Sequence, residues 1–214
     1  YNFDWYIQHR LFKKIQAWHR YKRLRALFHA RGYKWEKGSM LDVGCGHGWF
    51  LKEALKEGWD AFGIDYLDDD FLKKAIFKGI RVEKASLEED NLPRNHFDII
   101  TMWHLLEHLR DPKQALNIVS ELLKNDGYCV IAVPNRDSKG LAKMGKKWGW
   151  LEEPFVHIYC FSHETIKKIL PKNLKILETV SRDTWDQQYA QCTLLFWAYN
   201  CLLYTSPSPR DRQK

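Results

Sequence analysis

The sequence lacks the marks of membrane-spanning, secreted and zinc-binding proteins. None of its 214 residues falls in an apolar run of the roughly eighteen residues that a membrane-spanning helix needs, and no secretory leader is recognisable. Its five cysteines follow neither the spacing of a zinc site nor that of a CxxC redox pair. These absences lead us to expect a cytoplasmic protein whose thiols are reduced.

The composition is that of an ordinary globular protein, with 45% hydrophobic and 29% charged residues. Positive charge is concentrated near the N-terminus: the formal net charge is +7, and residues 1–37 carry ten Lys and Arg side chains against two acidic ones. Apolar residues recur at helical spacing from Ile7 to Phe28, which predicts an amphipathic helix. We therefore interpret residues 1–37 as a basic helical cap and residues 38–200 as the main domain.

In residues 38–200, short apolar strands alternate with helical stretches. The predicted strands are Ser39–Val43, Asp60–Ile64, Ile80–Lys84, Phe97–Met102, Tyr128–Val133 and Leu174–Thr179. The predicted helices are Trp49–Glu57, Asp69–Lys78, Pro112–Lys124 and Ser162–Leu170. This alternation is typical of an α/β fold with a doubly wound, Rossmann-like, mostly parallel sheet.

The first predicted strand runs into a glycine-rich loop with the sequence DVGCGHG, and a predicted helix follows it. Gly44, Gly46 and Gly48 allow a tight turn and the close approach of a ligand to the backbone. The helix N-terminus behind the loop offers N–H groups that have no partner within the helix. A loop of this kind binds NAD, FAD or S-adenosylmethionine (SAM) in different proteins.

Three details favour SAM over a dinucleotide. The spacing is D-x-G-x-G-x-G, whereas dinucleotide-binding folds have G-x-G-x-x-G. Asp42 precedes the glycines, where its carboxylate can hold the ammonium group of a methionine moiety directly or through water. Asp65 ends the second predicted strand, where it can accept hydrogen bonds from both ribose hydroxyls, and Tyr66 can then pack on the adenine.

Four segments resemble the bacterial class I methyltransferases that include the ubiquinone-type O-methyltransferases. They are MLDVGCGHGWF at 40–50, FDIITMWHLLEHLRDP at 97–112, GYCVIAVPNRDS at 127–138 and HIYCFS at 157–162. This resemblance implies a SAM-dependent methyltransferase whose loop residue Cys45 also lines the cofactor. It further implies that Ala85, Ser86 and Leu87 lie beside the adenine, and that Met102, Trp103 and His104 lie beside the sulfonium.

Histidines are the candidate acceptor-side residues. By the same resemblance, His104 follows the strand toward which the methyl group should point, so it is our first candidate for an acceptor contact or general base. His157, in the long aromatic connection, is the second, although either ring could simply be packed in the pocket wall. We expect His108 to be structural. Since no second carboxylate lies at ligand spacing near Glu107, we expect no metal ion.

The acceptor is left open by the sequence. We expect oxygen of a small molecule or of a glycan or lipid precursor. The basic N-terminal segment would attract a phosphate-bearing acceptor, or it is only a solvated helix face. A non-catalytic SAM-fold binding protein and a methyltransferase acting on RNA are alternatives, although no RNA-recognition module is visible and we expect no nucleic-acid partner.

Residues 201–214 resemble the translation of a sequencing adapter, with the match running from Cys201 to Asp211. We therefore predict a disordered tail there, which adds nothing to the fold. The preceding segment, Cys192–Asn200, is apolar and too short for periodicity to separate helix from strand. Because related chains continue through a further strand, we expect the last strand of the fold to be missing.

Overall fold

The computed structural model describes residues 3–66, 80–88, 92–145, 157–180 and 199–205. The chain divides into two compact units, Tyr1–Ser86 and Leu87–Lys214. Among the described residues, no helix combines the length and the apolar character needed to cross a membrane.

The elements of the first unit are α1 (Phe3–Arg31), β1 (Ser39–Val43), α2 (Trp49–Lys56), β2 (Asp60–Asp65) and β3 (Arg81–Lys84). Its three strands are parallel and lie in the order β3-β2-β1. The predicted N-terminal helix and the first three predicted strands are confirmed, with ends that differ by a few residues at most. The predicted helix at 69–78 lies outside the described residues.

Helix α1 packs through an aromatic cluster, and its Arg25 side chain also pairs with Glu57 at 2.9 Å. Tyr21 and Phe28 are almost fully buried, and both make edge-on contacts with Trp35. Trp59 donates a hydrogen bond from Nε1 to the Tyr21 hydroxyl at 3.1 Å. This cluster fixes α1 within the first unit, while Trp18 and Ile15 remain exposed.

The buried Tyr21 hydroxyl predicts a loss of stability in alkali. Burial raises the pKa of Tyr21 to about 12, so the folded state resists an ionisation that the unfolded chain undergoes near pH 10. The free energy of unfolding should therefore fall as pH rises from about 10 to about 12. Denaturant titrations across this range should show a smaller fall in Tyr21→Phe than in the wild type, whereas Tyr66→Phe, which changes an exposed ring, should behave like the wild type. An equal fall in all three chains would contradict this account.

The strands of the second unit are β4 (Phe97–Trp103), β5 (Leu123–Pro134), β6 (Lys175–Val180) and β7 (Tyr199–Thr205). They lie in the order β4-β5-β7-β6. The helical elements of this unit are a 3₁₀ turn (Leu106–His108), α3 (Pro112–Leu122), α4 (Lys139–Met144) and α5 (His163–Ile169). Strands β4 and β5 are parallel, and β7 runs antiparallel to both of its neighbours.

Local signals explain two of these helices. The Asp111 carboxylate accepts a hydrogen bond from Gln114 N at 2.8 Å, and Pro112 occupies the first turn of α3, as both residues prefer. At α5, Ser162 and Thr165 form a reciprocal capping box, which confirms the predicted helix start.

Strand β7 corrects the expectations for the C-terminal segment. Tyr199–Thr205 pairs with β5 on one side and β6 on the other, so the predicted disorder is wrong for residues 201–205, and the final strand is not missing. The physical reason is the run Cys201–Tyr204, whose apolar and aromatic residues suit a strand flanked on both sides. Residues 192–198 and 206–214 lie outside the described residues.

Candidate functional site

The glycine loop at the end of β1 adopts the conformation that its sequence predicts. Gly44, Gly46 and Gly48 have φ angles of 72°, 52° and 66°, in the left-handed region that favours glycine. Gly48 occupies the N-cap position of α2 without a side-chain cap. A Cβ atom added at Gly46 would have no heavy atom within 4 Å, so the backbone borders open space at this point.

Neighbouring β2 holds this loop in place. Gly44 N and Cys45 N both donate hydrogen bonds to Ile64 O, at 2.8 and 3.2 Å. A Cβ atom at Gly63 would lie 2.5 Å from Leu51 Cδ1 and 2.7 Å from Cys45 Sγ. Any larger residue there would force the Leu51 and Cys45 side chains to move. Our reading of the sequence missed this role, although a glycine inside a strand is itself a signal of close approach.

Asp65 joins the end of β2 to the glycine loop. Its Oδ2 atom accepts a hydrogen bond from Gly46 N at 2.7 Å, and its backbone oxygen accepts one from Ala85 N at 3.2 Å. The next residue, Tyr66, is 74% exposed. The structure thus brings Asp65 and Ala85 together beside the predicted cofactor loop.

Asp42 and Cys45 are two buried residues of the loop region. Burial raises the pKa of the Cys45 thiol, and the nearby carboxylates of Asp42 and Asp65 add to this effect. The thiol therefore stays protonated at neutral pH, which rules it out as a nucleophile there. Ser86, the last of the predicted adenine neighbours in the first unit, follows Ala85 directly.

The second unit carries three of the predicted cofactor-lining residues and both candidate acceptor-side histidines. Met102 is fully buried near the end of β4, with Trp103 partly buried after it, and Leu87 is buried at the start of the unit. His104 has a φ of 56°, which is uncommon outside glycine. Its backbone N donates to Ala132 O at 2.9 Å, so the ring leaves the strand end at a fixed position.

Glu107 lies at the centre of a histidine cluster that our reading of the sequence did not predict. Its side chain is completely buried, and its Oε1 atom lies 3.2 Å from His104 Nδ1 and 4.0 Å from His108 Nε2. His108 and His157 pack together with ring centroids 4.7 Å apart. The spacing of His104 and Glu107, three residues apart on a turn, is the signal that could have found this pair.

Backbone hydrogen bonds place His157 beside this turn. Ile158 N and Tyr159 N both donate to Glu107 O, at 3.0 and 3.1 Å. The Tyr159 hydroxyl also donates to Arg110 O at 3.0 Å. The structure therefore brings both predicted histidines, His104 and His157, to the same acidic residue.

The comparison with known families identifies the chain. The profile of the family described as "Methyltransferase domain" matches residues 7–174. This chain belongs to that methyltransferase family. Over 112 residues it is 32% identical to the ubiquinone biosynthesis O-methyltransferase of Psychrobacter cryohalolentis, covering 47% of this chain and 42% of the relative. A Yersinia pestis protein of the same name is 28% identical over 123 residues, covering 55% and 50%. The chain thus spans about half the length of these curated relatives.

Solved structures confirm the predicted α/β methyltransferase fold. A SAM-dependent methyltransferase from Thermotoga maritima superposes with a TM-score of 0.66 at 19% identity, covering 95% of this chain and 93% of that one. One from Mesorhizobium loti gives 0.63 at 20% identity, covering 86% and 95%. Family and fold together imply SAM as the cofactor. The open space at Gly46 and the carboxylate at the end of β2 fit such a ligand.

Proposed function

We propose that this methyltransferase transfers a methyl group from SAM to an oxygen atom of a small molecule or of a glycan or lipid precursor. The observation that carries the proposal is the hydrogen bond from Gly46 N to the Asp65 carboxylate. It places that carboxylate beside the loop backbone and the open space at Gly46. The names of the Psychrobacter and Yersinia relatives support oxygen as the acceptor atom.

The residues around the glycine loop contact different parts of the cofactor. In this proposal Asp42 binds the ammonium group of the methionine moiety, and Asp65 accepts hydrogen bonds from the ribose hydroxyls. The glycines let the backbone approach, and Tyr66 packs on the adenine. Ala85 and Ser86 belong to the adenine side, whereas contacts from Leu87, Met102 and Trp103 in the second unit stay predictions that rest on the resemblance.

SAM supplies a methyl group already activated by the positive sulfur, so the protein mainly has to position the acceptor and remove its proton. We assign proton removal to His104. With Nδ1 donating to Glu107, the ring orientation is fixed and Nε2 becomes the atom that accepts a proton. Because Nε2 is buried, we expect the acceptor to reach it only after a local rearrangement.

Replacing His104 by asparagine tests this assignment. Asparagine tolerates a left-handed backbone, so the turn should survive while the base is lost. We expect kcat to fall by about 10²- to 10⁴-fold, the usual contribution of a general base, with little change in SAM affinity. The matched control is His96→Asn, at a histidine that precedes β4. Wild-type kcat in His104→Asn would remove His104 from the mechanism.

The activity itself is tested with methyl-labelled SAM and a panel of acceptors. The panel contains catechol-type phenols, hydroxylated isoprenoid lipids and sugar nucleotides, with an amine series and a transfer RNA pool for comparison. We expect label to pass to a hydroxyl group and S-adenosylhomocysteine to form in equal amount. Transfer to amines or RNA alone would contradict the proposed acceptor class, and SAM binding without transfer to any compound would favour the non-catalytic alternative.

The RNA alternative depends on the charge of α1. Lys14, Lys22 and Arg23 are exposed on this helix, so weak RNA binding would be expected on electrostatic grounds alone. Such binding should weaken steeply with salt. Label transfer to RNA that persists at high salt would instead favour an RNA substrate.

A further inference from the structure

We propose that Glu107, His108 and His157 form a binding site for a divalent transition-metal ion of the zinc type. One ligand atom from each residue lies within 4.8 Å of the other two, and all three residues belong to the second unit. The proposal does not depend on methyl transfer, and it departs from the expectation that the chain holds no metal.

The buried carboxylate is the first observation that points to a cation. Glu107 is completely buried, and its Oε2 atom has no hydrogen-bond partner among the described residues. An ionised carboxylate out of contact with water is costly unless positive charge or donors compensate it. A metal ion would supply that charge directly.

The donor set determines the class of metal. Two imidazole nitrogens and one carboxylate oxygen are typical of zinc and its first-row neighbours, whereas magnesium and calcium prefer oxygen ligands. Ligands about 2.1 Å from a tetrahedral zinc ion lie about 3.4 Å apart. The three ligand atoms therefore need to approach one another by about 1 Å, a shift that side-chain rotation can supply.

Backbone hydrogen bonds already hold His157 close to Glu107 and His108. The Glu107 carbonyl accepts hydrogen bonds from Ile158 N and Tyr159 N, so the residue before them, His157, is held against the turn that carries His108. The His104 ring lies beside the Glu107 carboxylate, with Nδ1 3.2 Å from Oε1. Carboxylates that bind a metal ion are commonly oriented by a hydrogen bond of this kind. His108 is 29% exposed, which leaves a route for an ion from solvent.

The test is a titration of the full chain, freed of metal by a chelator, with Co²⁺ and with Zn²⁺ at neutral pH and without SAM. We expect about one equivalent of either ion to bind, with the visible absorption that marks four-coordinate Co²⁺. His108→Ala and His157→Ala should each weaken binding by more than the about 10- to 100-fold that loss of an outer-shell partner costs. His29→Ala, at an exposed histidine near the end of α1, is the matched control.

Three results would overturn the metal site. The first is a folded wild-type chain that binds neither ion. The second is binding that survives unchanged in both histidine variants, each shown to be folded by circular dichroism. The third is binding lost equally in His29→Ala. If the site is real but the proposed methyl transfer is not, the ions bind as expected while no labelled acceptor forms, so the two failures are distinguishable.

Discussion

Replacing Asp65 by alanine should weaken SAM binding by about 10- to 150-fold. This range corresponds to the roughly 1.5–3 kcal/mol that a hydrogen bond to a charged group contributes. Two losses combine in this variant: the ribose hydroxyls lose their acceptor, and Gly46 N loses the carboxylate that it contacts at 2.7 Å. Isothermal calorimetry with SAM and with S-adenosylhomocysteine measures both affinities.

The matched control for this variant lies at the other end of the same strand. Asp60 begins β2 and pairs with Arg81 at the surface, so Asp60→Ala removes a carboxylate of the same strand without approaching the glycine loop. We expect its SAM affinity to equal that of the wild type. Equal affinities in all three chains would show that Asp65 does not bind the ribose.

Replacing Gly46 by arginine should abolish measurable SAM binding and leave the fold intact. The first atom of the new side chain meets nothing within 4 Å, so no clash with the protein is expected near the backbone. The left-handed φ of 52° costs a non-glycine residue about 1–2 kcal/mol. The side chain would occupy the space in which we place the ligand, and thermal unfolding together with calorimetry separates the two effects.

Gly32 offers an unusually close control. It too has a left-handed φ, of 66°, and a Cβ atom there would also meet nothing within 4 Å. Gly32 follows the end of α1 rather than β1, so Gly32→Arg introduces the same side chain and the same strain outside the loop. If both variants lost SAM binding to the same degree, the loss at Gly46 would reflect destabilisation and not occupation of the cofactor space.

The sequence predicted the strands well wherever burial is complete. Residues 40–43 of β1 and residues 99–102 of β4 are buried throughout and are mostly apolar, and such short apolar segments bounded by loops are a direct signal of parallel strands. Strand β7 was missed for a different reason. Its place between β5 and β6 depends on contacts with strands distant in the sequence. The prediction of a disordered tail depended instead on the resemblance of residues 201–211 to an adapter sequence.

The site was only partly predictable for a physical reason. The glycine loop and Asp65 have signals that are local in sequence, namely residue spacing and position at a strand end. The local signal of Glu107, its three-residue spacing from His104, does not indicate burial, because a charged residue is expected at the surface unless it is paired, and here it is fully buried. The contact between His108 and His157 arises from hydrogen bonds to Glu107 O, which join segments far apart in the chain.

The measurement that tests the central claim most directly is calorimetric titration of the full chain with SAM, repeated on Gly46→Arg and Gly32→Arg. The account predicts saturable binding to the wild type and to Gly32→Arg, with a dissociation constant on the order of micromolar, and no binding to Gly46→Arg. A folded wild-type chain that binds no SAM, or a Gly46→Arg chain that binds it as the wild type does, would contradict the assignment of the glycine loop as the cofactor site.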